Sequence, residues 1–330
     1  MPATIEVTAA YVSELGPVEN IRHGPLEVAA PGGNDVLVDV EAVALDPVDT
    51  LVRSGRYPTA VPLPLVLGRD LVGRVASAPA HTPFRAGQWV WANSIGHDGL
   101  QGAFADRAVV PAERCYPLAD GTDPARAVAL AHPGSTAALG WFSHGGLRAG
   151  QTVLVGGGGG NVGTAAVVLA AGAGARIVAT ASPRDAGRVL AAGADVVLDH
   201  HEPDLGARIA GVVPSGVDIA WDTSGRMDYG TLADVTAPGG RILVSAAGPE
   251  PAPVPWARIY TRDIDVVGFV HSRARVDQLA RAAARLNAGL TAGTLTADVT
   301  EVLPLSEVAD AHRRMEAGQV RGRIVLRPGQ

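Results

Sequence analysis

A run of glycines near the middle of the chain offers a site for a ligand that carries phosphate. Residues 156–160 are all glycine. The spacing G-x-G-x-x-G occurs in one frame, at Gly158, Gly160 and Gly163. The motif follows an apolar run over 152–156 and opens an apolar segment over 164–171, as a strand–turn–helix would. Glycines permit the tight turn and close approach of a pyrophosphate, and free N–H groups at a helix N-terminus bind its charge. The loop therefore predicts dinucleotide binding.

The residues after the next apolar run indicate which dinucleotide binds. Sites for NAD place an acidic residue about 20 positions on, against the ribose 2′-hydroxyl. The run 176–181 ends without a carboxylate, and Ser182, Arg184 and Arg188 follow it. A hydroxyl and a guanidinium suit a 2′-phosphate, so the sequence favours NADPH over NADH. In the alternative interpretation this is a solvated helix start, in which Asp185 offsets the positive charge.

The pattern of apolar runs predicts the elements that position these residues. From about residue 123, short Val-, Ile- and Leu-rich runs alternate with helix-compatible segments, at 152–156, 176–181, 195–199, 217–222, 240–246 and 264–270. This alternation is typical of a parallel sheet covered by helices on both faces. Residues 1–125 instead contain shorter strand candidates between Pro and Gly turns, at 36–43, 66–75 and 88–92. They predict a partly closed barrel. Helices are expected over 274–287 and 305–317, with a closing strand over 323–326.

Composition excludes several classes of function. The 330 residues carry 27 cationic side chains, all arginine, against 33 acidic ones, for a net charge of −6. Without lysine the chain cannot form a Schiff base, a Walker A loop or the Tyr-x-x-x-Lys dyad of short-chain reductases. The acidic balance argues against nucleic acid, and no apolar run is long enough for a membrane helix. The one cysteine, Cys115, excludes internal disulfides. With no signal-peptide pattern at its start, the chain is expected to be cytoplasmic.

Five segments together resemble the medium-chain dehydrogenase/reductase superfamily, and within it the zinc-free quinone oxidoreductases (the ζ-crystallin-like branch). They lie at 44–57 (ALDPVDTLVRSGRY), 67–73 (LGRDLVG), 216–225 (GVDIAWDTSG), 238–244 (PGGRILV) and 316–326 (EAGQVRGRIVL). The resemblance implies an α/β fold with a GroES-like β-barrel catalytic domain and a Rossmann doubly wound parallel sheet. The catalytic domain would comprise residues 1–122 and 271–330, and the NADPH-binding domain residues 123–270. It also implies an active site between the domains and a homodimer, often formed through the sheet edges of the cofactor domain.

The resemblance also implies a set of cofactor residues. Thr136, Ala246, Gly248 and His271 occupy positions that hold the nicotinamide half of the cofactor in the family. The full expected set is Thr136, Gly158, Gly160, Asn161, Val162, Gly163, Ser182, Arg184, Ala246, Gly248, Val270, His271 and Arg321.

Three positions match the catalytic zinc ligands of zinc-dependent relatives. Asp46, Arg69 and His132 stand there, and Arg69 cannot bind a metal because it stays protonated. We therefore expect no metal. Asp46 replaces an asparagine that is usual in this branch, and His132 replaces an apolar residue. Our hypothesis is that the two form a polar pair, with His132 donating a proton to the reduced substrate. A structural hydrogen bond, or a packed histidine, is the alternative.

Tyr57 matches a position that lines the substrate cleft in the family, where its phenol would hydrogen-bond a substrate oxygen. A barrel-surface aromatic is the alternative. The expected function is NADPH-dependent hydride transfer to a quinone or an α,β-unsaturated carbonyl compound, since a conjugated acceptor needs no zinc to become electrophilic. A specialised secondary-metabolite reductase that uses Asp46 and His132 is a second hypothesis. A non-catalytic NADPH-binding protein is a third.

Overall fold

The chain divides into two compact units in a computed structural model that describes residues 3–246 and 252–329. The first unit runs to His132 and resumes at Arg275, and the second covers Pro133–Ala274. The domain boundaries predicted after residues 122 and 270 thus compare with unit boundaries after 132 and 274. The unit boundary after His132 lies inside a helix, Pro124–Ala138, which contributes residues to both units.

The first unit is mainly β-structure. Its strands are β1 (Thr4–Val12), β2 (Ile21–Ala29), β3 (Asp35–Ala44), β4 (Leu65–Val66), β5 (Leu71–Ser77), β6 (Trp89–Ala92), β7 (Arg107–Pro111), β8 (Cys115–Pro117), β15 (Val299–Pro304) and β16 (Arg323–Arg327). Its helices are α1 (Pro47–Arg53), the start of α2 (Pro124–Ala138), α8 (Val276–Ala292) and α9 (Val308–Glu316).

Two sheets organise the first unit. β2, β1 and β4 form a three-stranded sheet. The larger sheet runs in the order β15, β16, β3, β5, β6 and β8, with β7 also paired to β3. β16 pairs antiparallel with β3 through Val325 opposite Ala44, so a strand from the end of the chain joins one from its first fifty residues. Val, Leu and Ile side chains of these strands form one buried core with Phe84 and Phe104.

The second unit is an α/β layer structure. Its strands are β9 (Thr152–Gly156), β10 (Arg176–Ala181), β11 (Val196–Asp199), β12 (Val217–Asp222), β13 (Thr236–Val244) and β14 (Asp265–Gly268). Its helices are the end of α2, a π-helix at Leu139–Gly145, α3 (Asn161–Gly172), α4 (Pro183–Ala191), α5 (Leu205–Val212), α6 (Tyr229–Val235) and α7 (Trp256–Tyr260).

Among the described residues of this unit, six strands run parallel, in the order β11, β10, β9, β12, β13, β14. The direction of winding reverses at β9, which is the order of a dinucleotide-binding sheet. The prediction of a doubly wound parallel sheet is confirmed. The apolar runs of the central strands β9, β10 and β12 are mostly buried, whereas β14 at the edge of the sheet is largely exposed.

One predicted strand, 66–75, is interrupted. It forms β4 and β5, separated by the turn Leu67–Asp70. Gly68 has a φ of +89° in this turn, and a Cβ there would lie 2.1 Å from the ring of Phe104. Only glycine fits this contact and this backbone conformation. The break directs the next two residues, Arg69 and Asp70, into the interior, where both are buried.

Within residues 3–246 and 252–329, no helix combines the length and the apolar character that a bilayer crossing requires.

Candidate active site and coenzyme loop

The glycine loop is tied to the second strand of the parallel sheet. The Gly158 amide donates to the Thr180 carbonyl over 2.8 Å, and the Gly157 amide donates to the Thr180 hydroxyl over 3.1 Å. α3 begins directly after the loop, at Asn161. A Cβ on Gly163 would lie 2.1 Å from the Gly157 carbonyl oxygen, so a side chain cannot enter this turn. The loop, with its closely packed helix start, fits the pyrophosphate of a dinucleotide.

The residues predicted to recognise a 2′-phosphate follow β10, at the start of α4. Ser182 precedes the first turn of α4, and its hydroxyl donates to Asp185 Oδ2 over 2.7 Å. Arg188 donates to Asp185 Oδ1 over 3.1 Å. The Arg184 side chain is exposed and has neither a hydrogen bond nor an ion pair to the described residues. Ser182 and Arg184 thus lie at the predicted strand end, but only Arg184 has its polar atoms unengaged.

The other expected cofactor residues are distributed over both units. Thr136 is buried on α2, and Asn161 and Val162 form the first turn of α3. His271 is buried in a short 3-10 turn, and Val270 is partly exposed before it. Ala246 follows β13, whereas Gly248 lies outside the described residues. Arg321, in the first unit, is exposed. Their role in cofactor binding stays a prediction.

A cluster of buried charged groups lies in the first unit. Asp46 immediately precedes α1, and its backbone amide donates to Asp49 Oδ2 over 2.8 Å. Arg69 and Asp70 come from the turn before β5, and Arg323 is the first residue of β16. These five side chains are buried, with 2% or less of each residue exposed. Such burial of charge is costly unless the charges are paired. His132 on α2 completes what we call the buried charge cluster.

In the buried charge cluster, one carboxyl group is paired with an arginine, and another has no hydrogen-bond donor among the described residues. Arg323 Nη1 lies 2.6 Å from Asp46 Oδ1. His132 Nδ1 lies 3.8 Å from Asp70 Oδ2. Asp46 Oδ2 and both carboxylate oxygens of Asp70 have no hydrogen-bond donor among the described residues. Ligand atoms of Asp46, Asp70 and His132 all lie within 4.8 Å of one another. A proton on one carboxyl group would give these close oxygens a donor.

Burial and the neighbouring charges decide which carboxyl group holds that proton. Burial alone would raise the pKa of Asp46, but Arg323 and His132 outweigh it and hold this pKa below its ordinary value. Burial and the charge of Asp46 raise the pKa of Asp70 well above its ordinary value, and raise that of Asp49 to about 8. Burial lowers the pKa of His132 to about 4. At neutral pH, Asp46 is therefore ionised, Asp70 is protonated and His132 is uncharged.

The structure brings Asp46 and His132 into one cluster, as the hypothesis of a polar pair requires. It also adds two members that the sequence analysis did not assign to the site, Asp70 and Arg323. Asp70 lies near His132 Nδ1, and Arg323 is the ion-pair partner of Asp46. The sequence held one signal for Arg323, a charged residue directly before the apolar run 324–326.

The remaining candidate, Tyr57, is partly buried and packs on the hydrophobic core of the first unit. The guanidinium carbon of Arg69 lies 4.9 Å from the centre of its ring, a cation–π contact. Arg69 therefore connects the phenol ring to the buried charge cluster, of which it is a member.

Two groups of side chains have the composition of a metal site. Asp46, Asp70 and His132 form one, and Asp70 is a third ligand that the sequence analysis did not count. Arg323 is paired with Asp46 in that group, and a guanidinium opposes a metal cation. Asp199, His200 and His201 form the other, at the end of β11. His201 Nδ1 lies 3.0 Å from Asp199 Oδ1, and both histidines are exposed.

A further histidine, His97, is buried in the first unit. Its Nε2 lies 3.1 Å from the Ser94 hydroxyl, and its Nδ1 lies 3.1 Å from Asp98 Oδ2. Ser94 is itself fully buried, so this Ser–His–Asp contact offers no accessible nucleophile.

Comparisons with known proteins agree with this architecture. The family model of the alcohol dehydrogenase GroES-like domain matches residues 32–120, and that of zinc-binding dehydrogenases matches residues 192–326. A quinone oxidoreductase of Sus scrofa is 28% identical over 93% of each chain. A mycobacterial protein solved in complex with NADPH is 28% identical, covers 98% of this chain and all of its own, and superposes with a TM-score of 0.82. A solved NAD-dependent alcohol dehydrogenase is also 28% identical with the same coverage, and its TM-score is 0.87.

Proposed function

Because this chain belongs to the quinone oxidoreductase branch of the medium-chain dehydrogenase/reductase superfamily, we propose that it is a zinc-independent, NADPH-dependent reductase of quinones or α,β-unsaturated carbonyl compounds. The single observation that carries the proposal is the buried charge cluster. It contains two buried arginine side chains, Arg69 and Arg323, and Arg69 stands at a position that matches a zinc ligand of zinc-dependent relatives.

The glycine loop and the start of α4 would hold the coenzyme. The tight turn through Gly158, Gly160 and Gly163 would let the pyrophosphate approach the N-terminus of α3, and Arg184 would supply the positive charge for a 2′-phosphate. Bound NADPH supplies a hydride for a conjugated acceptor. The related structure that contains NADPH supports this choice of coenzyme.

The positive charge of two buried arginine side chains supports the proposed independence from zinc. Asp46, Asp70 and His132 have metal-binding atoms, yet Arg323 already neutralises Asp46 and Arg69 adds a second buried cation. Both guanidinium groups stay protonated at every pH that a protein tolerates. A divalent cation would therefore enter a cluster in which arginine side chains already compensate the negative charge.

The same cluster can hold the proton that completes the reduction. The lowered pKa leaves His132 uncharged at neutral pH, so it lacks the imidazolium proton that the hypothesis of proton donation by His132 requires. Asp70 keeps a proton beside the ionised Asp46. We assign Asp46, His132 and Tyr57 to the proposed catalytic set, with Tyr57 donating a hydrogen bond to the substrate oxygen and Asp70 as proton store.

A specialised reductase of secondary metabolites is the second candidate. The observation that favours it is the burial of Asp46 together with His132, since both depart from the residues usual in this branch. Such an enzyme would turn over a narrow set of enones and few simple quinones. A protein that binds NADPH without turnover is the third candidate.

We also propose a homodimer formed at the edge of the parallel sheet. β14 is the last strand of the sheet, and Trp256 and Tyr260 of the neighbouring α7 are 63% and 72% exposed. Exposed aromatic side chains of this size are typical of protein interfaces.

The test measures oxidation of NADPH and of NADH against quinones, enones and enoyl thioesters, with metal content determined on the same preparation. Turnover of conjugated acceptors by metal-free protein, unchanged by a chelator, supports the proposal. Activity that follows bound zinc contradicts zinc independence. Binding of NADPH without turnover of any acceptor favours the non-catalytic candidate.

A further inference from the structure

The carboxyl group of Asp185 lies against the glycine loop and has no role in the coenzyme site proposed above. A Cβ on Gly159 would lie 3.0 Å from the Cβ of Asp185 and 3.2 Å from its Oδ2. Asp185 is 22 positions after Gly163, close to the separation at which NAD sites place an acidic residue. No carboxylate stands at the end of β10 itself, and Asp185 lies in the first turn of α4 that follows.

Asp185 is hydrogen-bonded to two of the three residues that are expected to favour a 2′-phosphate, Ser182 and Arg188. Its Oδ2 accepts the Ser182 hydroxyl at 2.7 Å, and its Oδ1 accepts Arg188 Nη2 at 3.1 Å. The Ser182 hydrogen bond lowers the pKa of Asp185, so the group is ionised at neutral pH. Each of its oxygens keeps a second lone pair, with which it can accept another hydrogen bond.

Arg188 is held by the loop as well as by Asp185. Its Nη2 donates to the Gly159 carbonyl over 2.6 Å, and its Nη1 donates to the Thr164 hydroxyl over 2.9 Å. These bonds fix the guanidinium on the glycine loop whichever coenzyme binds. Two groups then determine which coenzyme is preferred at the ribose 2′ position. They are the unengaged cation Arg184 and the carboxylate Asp185.

We propose that Asp185 is a coenzyme-specificity residue that accepts the ribose 2′-hydroxyl of NADH and opposes the 2′-phosphate of NADPH. The inference rests on the proposed dinucleotide-dependent function. It makes the protein a user of both coenzymes, in which Arg184 favours NADPH and Asp185 favours NADH.

Opposite shifts in affinity are expected from the two substitutions. Asp185→Asn removes a negative charge near the 2′ position, and at surface screening this tightens NADP⁺ binding by about three- to tenfold. The same change removes a charged acceptor and weakens NAD⁺ binding by about three- to tenfold. Arg184→Gln weakens NADP⁺ binding by about tenfold and leaves NAD⁺ binding within about twofold.

The experiment is titration calorimetry of the full chain with NADP⁺ and NAD⁺, and with the fragments 2′,5′-ADP and 5′-AMP, which differ in the 2′-phosphate. It needs no turnover. Asp234→Asn is the matched control, because it removes a carboxylate of the same unit that pairs with an exposed arginine, Arg258, over 2.9 Å. Circular dichroism of each variant checks that α4 remains folded, and Asp185→Ser repeats the test with a different side chain.

A rise in the NADP⁺ to NAD⁺ affinity ratio with both Asp185 variants, absent in the control, supports the inference. A ratio within twofold of the wild-type value, or equal weakening of both coenzymes, overturns it while the proposed function stands. Wild-type protein that binds neither coenzyme overturns the inference and the proposed function together.

Discussion

Replacing Arg323 with leucine tests whether the buried charge cluster depends on its ion pair. In the wild-type protein Arg323 and Asp46 lie 2.6 Å apart, and each side chain is 2% exposed. The variant leaves Asp46 buried without its partner. Removal of one member of a buried pair is commonly destabilising by about 3–5 kcal/mol, because the remaining charge cannot be solvated.

Protonation of Asp46 sets an upper limit on this loss. A carboxyl group with an ordinary pKa of 3.8 that must take up a proton on folding costs about 4.4 kcal/mol at pH 7 and about 1.6 kcal/mol at pH 5. The sign follows from proton counting. In the variant the folded state holds one more proton than the unfolded state, so its stability falls as pH rises. The defect of Arg323→Leu should therefore grow by about 1.4 kcal/mol for each pH unit between 5 and 7.

Urea unfolding of Arg323→Leu at pH 5, 6 and 7 measures this slope, and hydrogen exchange of β3 peptides assigns the loss to the first unit. The double variant Asp46→Asn, Arg323→Leu removes both charges and should recover most of the stability at pH 7. The control Arg107→Leu breaks a half-exposed pair with Asp39 and should cost under about 1 kcal/mol. A defect of equal size at pH 5 and pH 7, with no recovery in the double variant, would refute the reasoning.

Three further predictions concern other parts of the chain. Gly163→Ala places a methyl group against the backbone of its own loop, and calorimetry should show NADP⁺ binding weakened by roughly tenfold or more. Gly172→Ala on the same helix has open space, and it should leave NADP⁺ affinity unchanged. His312 is fully buried, neither ring nitrogen has a partner among the described residues, and burial lowers its pKa from 6.5 to about 3. The wild-type protein should lose about 2 kcal/mol through this group between pH 7 and pH 5, and urea unfolding of His312→Leu should not show this loss. Replacement of Trp256 and Tyr260 by serine should convert the proposed dimer to monomer in sedimentation velocity, while a dimer that persists would exclude this interface.

The second unit could be predicted from sequence because its elements are local and continuous. Residues 217–222 form one apolar run and one strand, and the glycine loop connects the strand and the helix that its spacing requires. A buried parallel strand is apolar on both faces, so its length can be inferred from composition alone. The start of β13 at Thr236 was missed, since Gly239 and Gly240 resemble a turn.

The buried charge cluster could not be predicted in full, because long-range strand pairing assembles it. β16 pairs with β3 and thereby brings Arg323 to Asp46, which lies 277 positions earlier in the chain. No repeating pattern of apolar residues in the local sequence indicates such a long-range contact. The engagement of Ser182 by Asp185, in contrast, has the separation of three residues that is typical of a helix start, and sequence inspection could have identified it.

The pairing of β16 with β3 has a consequence for the order in which the chain becomes native. A ribosome releases Asp46 early, and the whole of the second unit emerges before Arg323 does. The parallel sheet is contiguous in sequence and can form as soon as it is made, whereas the first unit waits for the last strand. A polypeptide that ends prematurely before residue 323 leaves β3 with an open edge and Asp46 without its counter-ion. Incomplete chains therefore carry a local defect that quality-control proteases can recognise, although nearly all of the sequence is present.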